Sequence, residues 1–432
     1  MFIFDKISSL IWGRPLIFLL LATGALFTIK LDVPQFRLPH FMLSCKNRNN
    51  SGLSQFRTVC MPLGAAMGTG NITGVSAAVA IGGAGAVFWM WVSAFFGMAV
   101  VYAENYLSVL YSDKKKRGPM AYLEKGIGSE KIACAFAVMC ILASLGMGGM
   151  VQVNSFTESL GKCLSLPDFI TAAFIFMLIY AVISGGAERI GTAAQTLLPA
   201  ASAVYAVLCL CVIIRHHTNI LSAVSSIFTQ AFGFRQTIGG ISGYGISKAI
   251  STGIRRGIFS NEAGLGSSPI LHSAAESDSP YTQGMWSMFE VFFDTMVCCT
   301  LTALTVLTSG KHDISAAFST VTGSSSAYIT AALMAVFAFC TIIGWYYCGE
   351  SAFVYLSRHN SKICFPLVFS VTASVGAVIS PECVWTISDI FNGMMAFPNL
   401  FGLLFLGKKN KKGMKNDERS IITHEQKLTQ NK

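Results

Sequence analysis

Charged residues are scarce in this chain of 432 residues: Asp, Glu, Lys and Arg make up 12% of it, whereas 53% is hydrophobic. A soluble domain carries roughly 25% charged residues, so this chain could not cover a water-facing surface of its size. The shortage excludes an ordinary soluble enzyme, a disordered protein and a fibrous protein. The class that remains is an all-α multi-pass membrane protein, in which apolar helices cross the bilayer.

Motifs for catalysis, nucleotide binding and metal binding are also missing. The sequence contains no Walker A, HExxH or GxSxG motif, and its 13 cysteines form no CxxC pair and no Cys/His spacing suited to zinc. The net charge of +10 is carried in short clusters between apolar runs, which indicates membrane topology and not nucleic-acid binding. We therefore expect no enzymatic activity, no organic cofactor and no nucleic-acid partner.

The apolar runs that are present predict eleven membrane-spanning helices. Several of them exceed the roughly 20 residues that a span requires. The first is an extra N-terminal helix, and the other ten fall into two runs of five. The predicted segments are residues 10–29, 59–81, 87–111, 132–153, 169–185, 192–214, 247–269, 285–307, 328–356, 365–379 and 384–406.

Each run of five opens with an unusual helix. Residues 64–74 and 253–266 are rich in glycine and interrupted by polar side chains, and an odd number of spans per run inverts the second run relative to the first. Interrupted helices at corresponding positions of two halves are the best sequence indication of a transporter binding site. Unwound backbone in lipid survives only where it lines a cavity, and its free N–H and C=O groups can bind a carboxylate and a small cation.

This pattern divides the chain into five parts and predicts its orientation. The connections that carry most of the Lys and Arg residues, including Lys114–Arg117, Arg358 and Lys362, are cytoplasmic by the positive-inside rule. With eleven spans, the N-terminus lies outside and the C-terminus in the cytoplasm of a bacterial plasma membrane. The parts are an N-terminal helix and cytoplasmic loop (1–58), a first five-helix repeat (59–214), an external connection (215–240), a second repeat (241–406) and a basic tail (407–432).

Several segments resemble the sodium:alanine symporter (amino acid:cation symporter) family, and the resemblance covers most of the chain from Leu10 to Leu406. It implies a LeuT-type core with a 5+5 inverted repeat, and sodium-coupled transport of alanine or glycine. Ala84 stands where the family usually has proline, a departure that affects mainly a turn. The segments are Gly253–Pro269, Gly68–Ile72 with Gly83, Gly85 and Phe88–Trp91, Gly149–Asn154, Thr341–Glu350 and Pro34–Arg37.

The two interruptions contain the first group of candidate site residues. The carboxamide oxygen of Asn71 can bind sodium or the substrate ammonium, and a hydrogen bond between helices is its alternative role. Thr69 lies at the same bend, where its hydroxyl can instead bond back to its own helix. Ser260, Asn261 and Gly264 lie in the second interruption, where substrate contact and close packing both remain open.

Glu262 is an acidic residue inside a predicted membrane segment, and such residues are functional by default. Arg255 and Arg256 precede it by about two helical turns. We therefore favour a structural ion pair between Glu262 and one of these arginines. A functional role of Glu262 remains the alternative.

The resemblance adds a second group of candidates. It implies that Gln152 and Phe156, which are four residues apart and hence on one helix face, contact the substrate and close over it. It also implies that Thr341 offers a hydroxyl to a cation or substrate and that Trp345 forms a wall of the pocket; packing remains open for Phe156. The predicted sodium ligands are Asn71, Thr69 and Thr341.

Sodium-coupled symport of a small neutral amino acid (alanine or glycine, D or L) by a monomer in the lipid bilayer is the leading hypothesis. A proton-coupled carrier of the same fold is its nearest alternative. Neutral oxygens at the interruptions favour sodium, because a proton-driven carrier needs a titrating side chain at its site. A channel would require pore symmetry, and a membrane-embedded enzyme would require a nucleophile and a base, so both are less favoured.

Overall fold

The computed structural model describes residues 2–46, 52–113, 116–161, 163, 167–233, 241–273, 279–357, 364–410 and 413–414. Within these ranges the regular elements are all helices, which confirms the all-α class. Most of the basic tail, together with Lys114, Lys115, Arg358 and Lys362, lies outside the described residues.

The helices of the first half surround one interruption. They are α1 (Phe2–Ile11), α2 (Arg14–Lys30), α3 (Leu38–Lys46), α4 (Gly52–Ala66), α5 (Thr73–Gly82), α6 (Gly85–Tyr111), α7 (Gly118–Ala121), α8 (Glu130–Ala143), α9 (Gln152–Gly161), α10 (Asp168–Ile183) and α11 (Gly186–Arg215). Short 3-10 turns occupy Pro34–Arg37 and Thr69–Asn71, and π-helical stretches occupy Tyr122–Gly126 and Ser144–Val151.

The helices of the second half surround the second interruption. They are α12 (Ile220–Phe232), α13 (Ile241–Asn261), α14 (Ser268–His272), α15 (Pro280–Val291), α16 (Thr300–Ser309), α17 (Ile314–Thr322), α18 (Ser326–Ser357), α19 (Cys364–Val375) and α20 (Pro381–Lys409). A π-helical stretch, Phe292–Cys299, joins α15 to α16, and 3-10 turns occupy His217–Asn219 and Gly323–Ser325.

Seven helical segments in the described ranges are long and apolar enough to cross a membrane, which supports a multi-pass membrane protein. The shorter apolar helices Phe169–Ile183 and Cys364–Val375 coincide with two more predicted spans, and the remaining two predicted spans are the interrupted ones. That all eleven cross the bilayer stays a prediction. The seven are Lys6–Lys30, Gly85–Tyr111, Glu130–Gly161, Arg189–Arg215, Pro280–Ser309, Ile314–Ser357 and Pro381–Lys409.

Both predicted interruptions are present, but the second begins only at Glu262, so the prediction that Ser260 and Asn261 lie within it is wrong: they form the last turn of α13. The first separates α4 from α5, where Gly68 is extended (φ −115°, ψ −156°). The second separates α13 from α14, where Glu262, Gly264 and Gly266 have φ of +55°, +86° and +89°. Left-handed backbone cannot continue a right-handed helix, and glycine adopts it at no steric penalty. The local sequence therefore explains why each helix ends where it does.

Close packing of α6 against α13 places the second interruption beside the centre of the protein. A Cβ atom added to Gly253 would lie 2.3 Å from the carbonyl oxygen of Ala86 and 2.7 Å from Cβ of Trp89. Small residues allow helix backbones to approach in this way, and the approach supplies the van der Waals contact that holds membrane helices together.

We expect Gly253→Ala to destabilise the protein by about 1–3 kcal/mol, the usual effect of forcing an extra methyl group into a packed interface. Gly191→Ala in α11 is the matched control, because no atom lies within 4 Å of the added methyl group there. Thermal unfolding of the detergent-solubilised proteins measures the difference. Equal unfolding temperatures for the two variants would contradict the close contact between α13 and α6.

Candidate functional site

A first polar group joins the first interruption to α9 and α18. The backbone N–H and the hydroxyl of Thr69 both donate to Oε1 of Gln152, at 3.2 and 2.9 Å. The hydroxyl of Thr341 donates to the carbonyl oxygen of Gly64 at 3.1 Å, one of the carbonyl groups that the ending helix α4 leaves free. Gly68 lies between them, since an added Cβ would be 2.6 Å from Oγ1 of Thr341 and 3.0 Å from Oε1 of Gln152. Three predicted site residues therefore come together here.

A second polar group joins the first interruption, through a carboxylate, to the last turn of α13 that precedes the second interruption. Nδ2 of Asn71 donates to Oδ1 of Asp294 at 2.6 Å, and the hydroxyl of Ser260 donates to Oδ2 of the same carboxylate at 2.7 Å. The hydroxyl of Thr295 also donates to Oδ2, at 2.9 Å. All four side chains are buried, with Asp294 fully inaccessible to solvent. Asp294 is thus the one acidic side chain that contacts both Asn71 and Ser260 among the described residues.

Asp294 adds a carboxylate to the neutral oxygens that the sequence indicated at the interruptions; from the sequence, coupling and packing were both open roles for this intramembrane acid. Asp294 lies 34 residues after Ser260 in the chain, on the π-helical stretch Phe292–Cys299, so spacing along the sequence could not place it at the interruptions. Its presence in an otherwise apolar segment was the available signal, because an acid inside a membrane helix usually marks a functional site. Across the described ranges it forms no ion pair with Lys, Arg or His.

The carboxamide oxygen of Asn71 is buried and has no hydrogen-bond partner among the described residues. The backbone carbonyl of the same residue accepts a bond from Thr302 at 2.8 Å, so only the side-chain oxygen is left unsatisfied. An unsatisfied buried acceptor is unfavourable by about 1–3 kcal/mol unless a ligand or water binds to it. It therefore provides a vacant oxygen ligand directly beside the Asp294 carboxylate.

Glu262 binds Trp345 and not an arginine, so the predicted ion pair is wrong. Nε1 of Trp345 donates to Oε1 of Glu262 at 2.7 Å, and the hydroxyl of Ser267 donates to Oε2. Glu262 follows the last residue of α13, and its left-handed backbone removes it from the helical register that carries the arginines. Gly148 packs against the other side of Trp345, where an added Cβ would lie 2.2 Å from the tryptophan Cβ.

The two arginines of α13 have other partners. Arg255 forms an ion pair with Asp389 of α20, and its guanidinium also donates to the hydroxyl of Ser8 at 3.0 Å. Arg256 stacks over the ring of Trp385, with Cζ 4.6 Å from the ring centroid. Both partners come from elements distant in sequence, which explains why the sequence suggested the nearer Glu262.

Of the remaining predicted site residues, Asn261 is bonded to the second polar group, whereas the described contacts of Gly264 and Phe156 are with other parts of the protein. Nδ2 of Asn261 donates to Thr295 at 3.2 Å. The N–H of Gly264 donates to Glu104 at 3.4 Å, and its carbonyl accepts from Asn399 at 2.9 Å, so side chains satisfy the unwound backbone. Phe156 is half-buried and packs on an apolar cluster that includes residues of α10, α18 and α19.

The arrangement offers hard oxygen atoms that suit an alkali cation: a carboxylate, two hydroxyl groups and a carboxamide. Within the described ranges, no three His, Cys, Asp or Glu side chains come together to hold a transition metal. The helix ends at the interruptions add N–H groups for an anionic group such as an amino acid carboxylate. The site therefore suits simultaneous binding of a small cation and a small zwitterion.

Comparison with known proteins agrees with this chemistry. Residues 1–431 match the sodium:alanine symporter family. An "Uncharacterized transporter" of Haemophilus influenzae is 39% identical over 94% of this chain and 93% of its own. The "Sodium/alanine symporter AgcS" of Methanococcus maripaludis is 37% identical over 93% and 94%, and the "Probable sodium/glutamine symporter GlnT" of Bacillus subtilis is 33% identical over 93% and 87%. The chain therefore belongs to the sodium:alanine symporter family, a family of transporters and not of enzymes.

Proposed function

We propose that this protein is a symporter that uses the sodium gradient to carry a small neutral amino acid, alanine or glycine, into the cytoplasm by alternating access. The observation that carries the proposal is the Asp294 carboxylate, which binds Asn71 of the first interruption and Ser260 in the last turn of α13, directly before the second. A ligand that binds a group shared by two helices can favour one arrangement of those helices over another. Cation binding at Asp294 would in this way be linked to the shape of the substrate site.

Sodium binds, in this proposal, between the carboxylate of Asp294, the hydroxyl groups of Ser260 and Thr295, and the carboxamide of Asn71. Nδ2 of Asn71 now faces Asp294 and its oxygen has no partner among the described residues. Turning the amide by half a rotation would present that oxygen to the cation. The cation would then replace the N–H as the positive partner of the carboxylate. Thr69 and Thr341 are left out as cation ligands because they bond to Gln152 and Gly64 and, among the described residues, not to the Asp294 carboxylate.

The amino acid binds, in this proposal, beside the cation. Its carboxylate would bind N–H groups in the first turn of α5, which have no acceptor within the helix. Its ammonium would displace one of the two donors that now occupy Oε1 of Gln152. Trp345 is fully buried and held between Glu262 and Gly148, so it forms a rigid wall. A rigid aromatic wall favours small side chains over large ones.

Proton coupling on the same site is the second candidate, and the same carboxylate favours it. A carrier driven by protons needs a titrating group at its site, and Asp294 has that chemistry. Among the described residues, Glu262 forms no hydrogen bond with Asn71 or Ser260. It is therefore the weaker candidate for a proton site.

The predicted topology is part of the proposal. We propose a monomer in the bacterial plasma membrane, with the N-terminus outside and the C-terminus in the cytoplasm. The distribution of Lys and Arg between the two sets of connections supports this orientation.

Uptake of radiolabelled alanine into proteoliposomes tests the function. An inward sodium gradient should drive accumulation of unchanged alanine, whereas an imposed pH gradient in sodium-free buffer should not. Unlabelled glycine should compete, and glutamine and leucine should compete weakly. If labelled alanine equilibrates without accumulating, the protein is a channel. If the labelled alanine is chemically changed, the protein is an enzyme.

Glu262→Gln tests in the same assay whether Glu262 takes part in coupling. Glutamine keeps an acceptor oxygen for Nε1 of Trp345 and removes the titrating group. We expect sodium-driven accumulation to persist in this variant. If wild-type uptake instead follows the pH gradient without sodium, the proton-coupled alternative is correct, and loss of that uptake in Glu262→Gln would assign the proton to Glu262.

A further inference from the structure

Arg256 is a second charged feature near the site, and neither the cation nor the substrate contacts proposed above use it. It lies on α13, one helical turn before Ser260, and its guanidinium stacks on Trp385 at 4.6 Å and on Phe259 at 5.8 Å. Its Nη1 atom is buried and has no hydrogen-bond partner in the part of the chain that the structure describes. Guanidinium groups carry donors only, so this nitrogen can be satisfied only by an acceptor such as a carboxylate.

The nearest carboxylate along this face of α13 is already paired with a different arginine. Asp389 pairs with Arg255, and its backbone carbonyl accepts a bond from Nε1 of Trp12 at 2.6 Å. Among the described residues, no Asp or Glu oxygen lies within ion-pair distance of Arg256. Arg255 therefore forms an ion pair that holds α1, α13 and α20 together, whereas Arg256 has no ion-pair partner among the described residues and interacts with the Asp389 charge only over a longer distance.

One aromatic ring separates Arg256 from the first interruption. The ring of Phe259 lies 4.9 Å from that of Trp385, and a Cβ added to Gly70 would lie 3.3 Å from the Phe259 ring. Phe259 is buried, and its ring lies between the guanidinium and the interruption. Arg256, Phe259 and Gly70 thus follow one another from the last two turns of α13 towards the site.

We propose that Arg256 forms an entry site for the carboxylate of the transported amino acid, which binds there before it passes Phe259 to reach the interruptions. This inference rests on the proposed function. Guanidinium and carboxylate groups match each other in a paired hydrogen-bond geometry, and stacking on Trp385 holds the plane of the guanidinium. Because α13 follows the predicted external connection, the entry site faces the outside, from which the amino acid arrives.

An entry site changes the rate at which substrate reaches the main site and leaves the equilibrium affinity of the main site unchanged. Charge-assisted capture in a cleft raises association rates by about 10-fold to 1,000-fold. We therefore expect Arg256→Gln to lower kcat/KM for sodium-driven alanine uptake by about tenfold, the low end of that range. In saturating sodium, kcat and the Kd of alanine should both stay within about twofold of the wild-type values. A difference of that size is the variation expected for neutral substitutions.

Propionate, which has the carboxylate of alanine but no amino group, is the chemical probe. It should inhibit wild-type uptake competitively, and Arg256→Gln should lose this inhibition, while Arg256→Lys should keep part of it. Lys248→Gln is the matched control, because it removes one positive charge from an exposed position on the same helix. That control should behave as the wild type does.

Four results would overturn the entry site. They are a wild type insensitive to propionate, inhibition that persists in Arg256→Gln, a Kd for alanine that rises as much as KM, and an equal effect of Lys248→Gln. The wild-type measurement needs no variant, so it decides even if Arg256→Gln does not fold. Lack of sodium-dependent alanine binding by the wild type would refute the proposed function itself, and this inference with it.

Discussion

Asn71→Ala is expected to weaken sodium-driven alanine uptake strongly while the protein stays folded. The substitution removes the donor to Asp294 and, with it, the unsatisfied oxygen that we propose as a sodium ligand. Loss of one polar contact weakens binding by about 1–3 kcal/mol. Since 1.4 kcal/mol corresponds to a factor of ten, the sodium concentration for half-maximal uptake should rise by about tenfold or more.

Uptake measured against sodium concentration checks this result, with thermal unfolding as the test of folding. Asn219→Ala is the matched control, because Asn219 donates to the carbonyl of Thr308 and lies away from both interruptions. The control should keep the sodium dependence of the wild type. Wild-type sodium dependence in Asn71→Ala would remove this residue from the cation site.

Asp294→Asn should have the larger effect, because it removes the only full negative charge that we propose at the cation site. Asparagine has nearly the same shape and keeps one acceptor oxygen, so Ser260 and Thr295 can still donate to the side chain. Without the charge, nothing offsets the desolvation of the buried cation. We expect sodium-driven accumulation to fall below detection, while alanine equilibrates slowly or not at all.

Asp313→Asn is the matched control for the loss of an acid. Asp313 caps α17 by accepting a bond from the N–H of Ala316, outside both interruptions, and its replacement should leave coupling intact.

The double variant Asn71→Ala with Asp294→Asn should lose little more uptake than Asp294→Asn alone, because the effects of residues that act as a unit are not additive. Additive losses would indicate that the two side chains bind different ligands.

The class of protein, the positions of its helices and the two interruptions follow from the sequence by itself. These features depend on local composition: a scarcity of charge excludes a soluble fold, and long apolar runs predict spans. Gly68, Gly264 and Gly266 allow backbone that ends a helix, and such positions can be recognised without knowledge of what packs around them. The signature around Ser260 and Asn261 was sufficient to indicate the family, which the comparisons confirm.

Only the tertiary structure decided which side chains meet. Glu262 was matched to the arginines nearest in sequence, but Trp345, 83 residues away, is its partner. Asp294 reaches Asn71 across 223 residues of chain, a distance over which helical periodicity carries no information. Contacts of this kind depend on how each helix is rotated and how closely it packs against its neighbours. Small residues such as Gly148 and Gly253 determine both, because they let two helices approach closely. The groups that a site needs could therefore be predicted from the sequence, whereas their pairing could not.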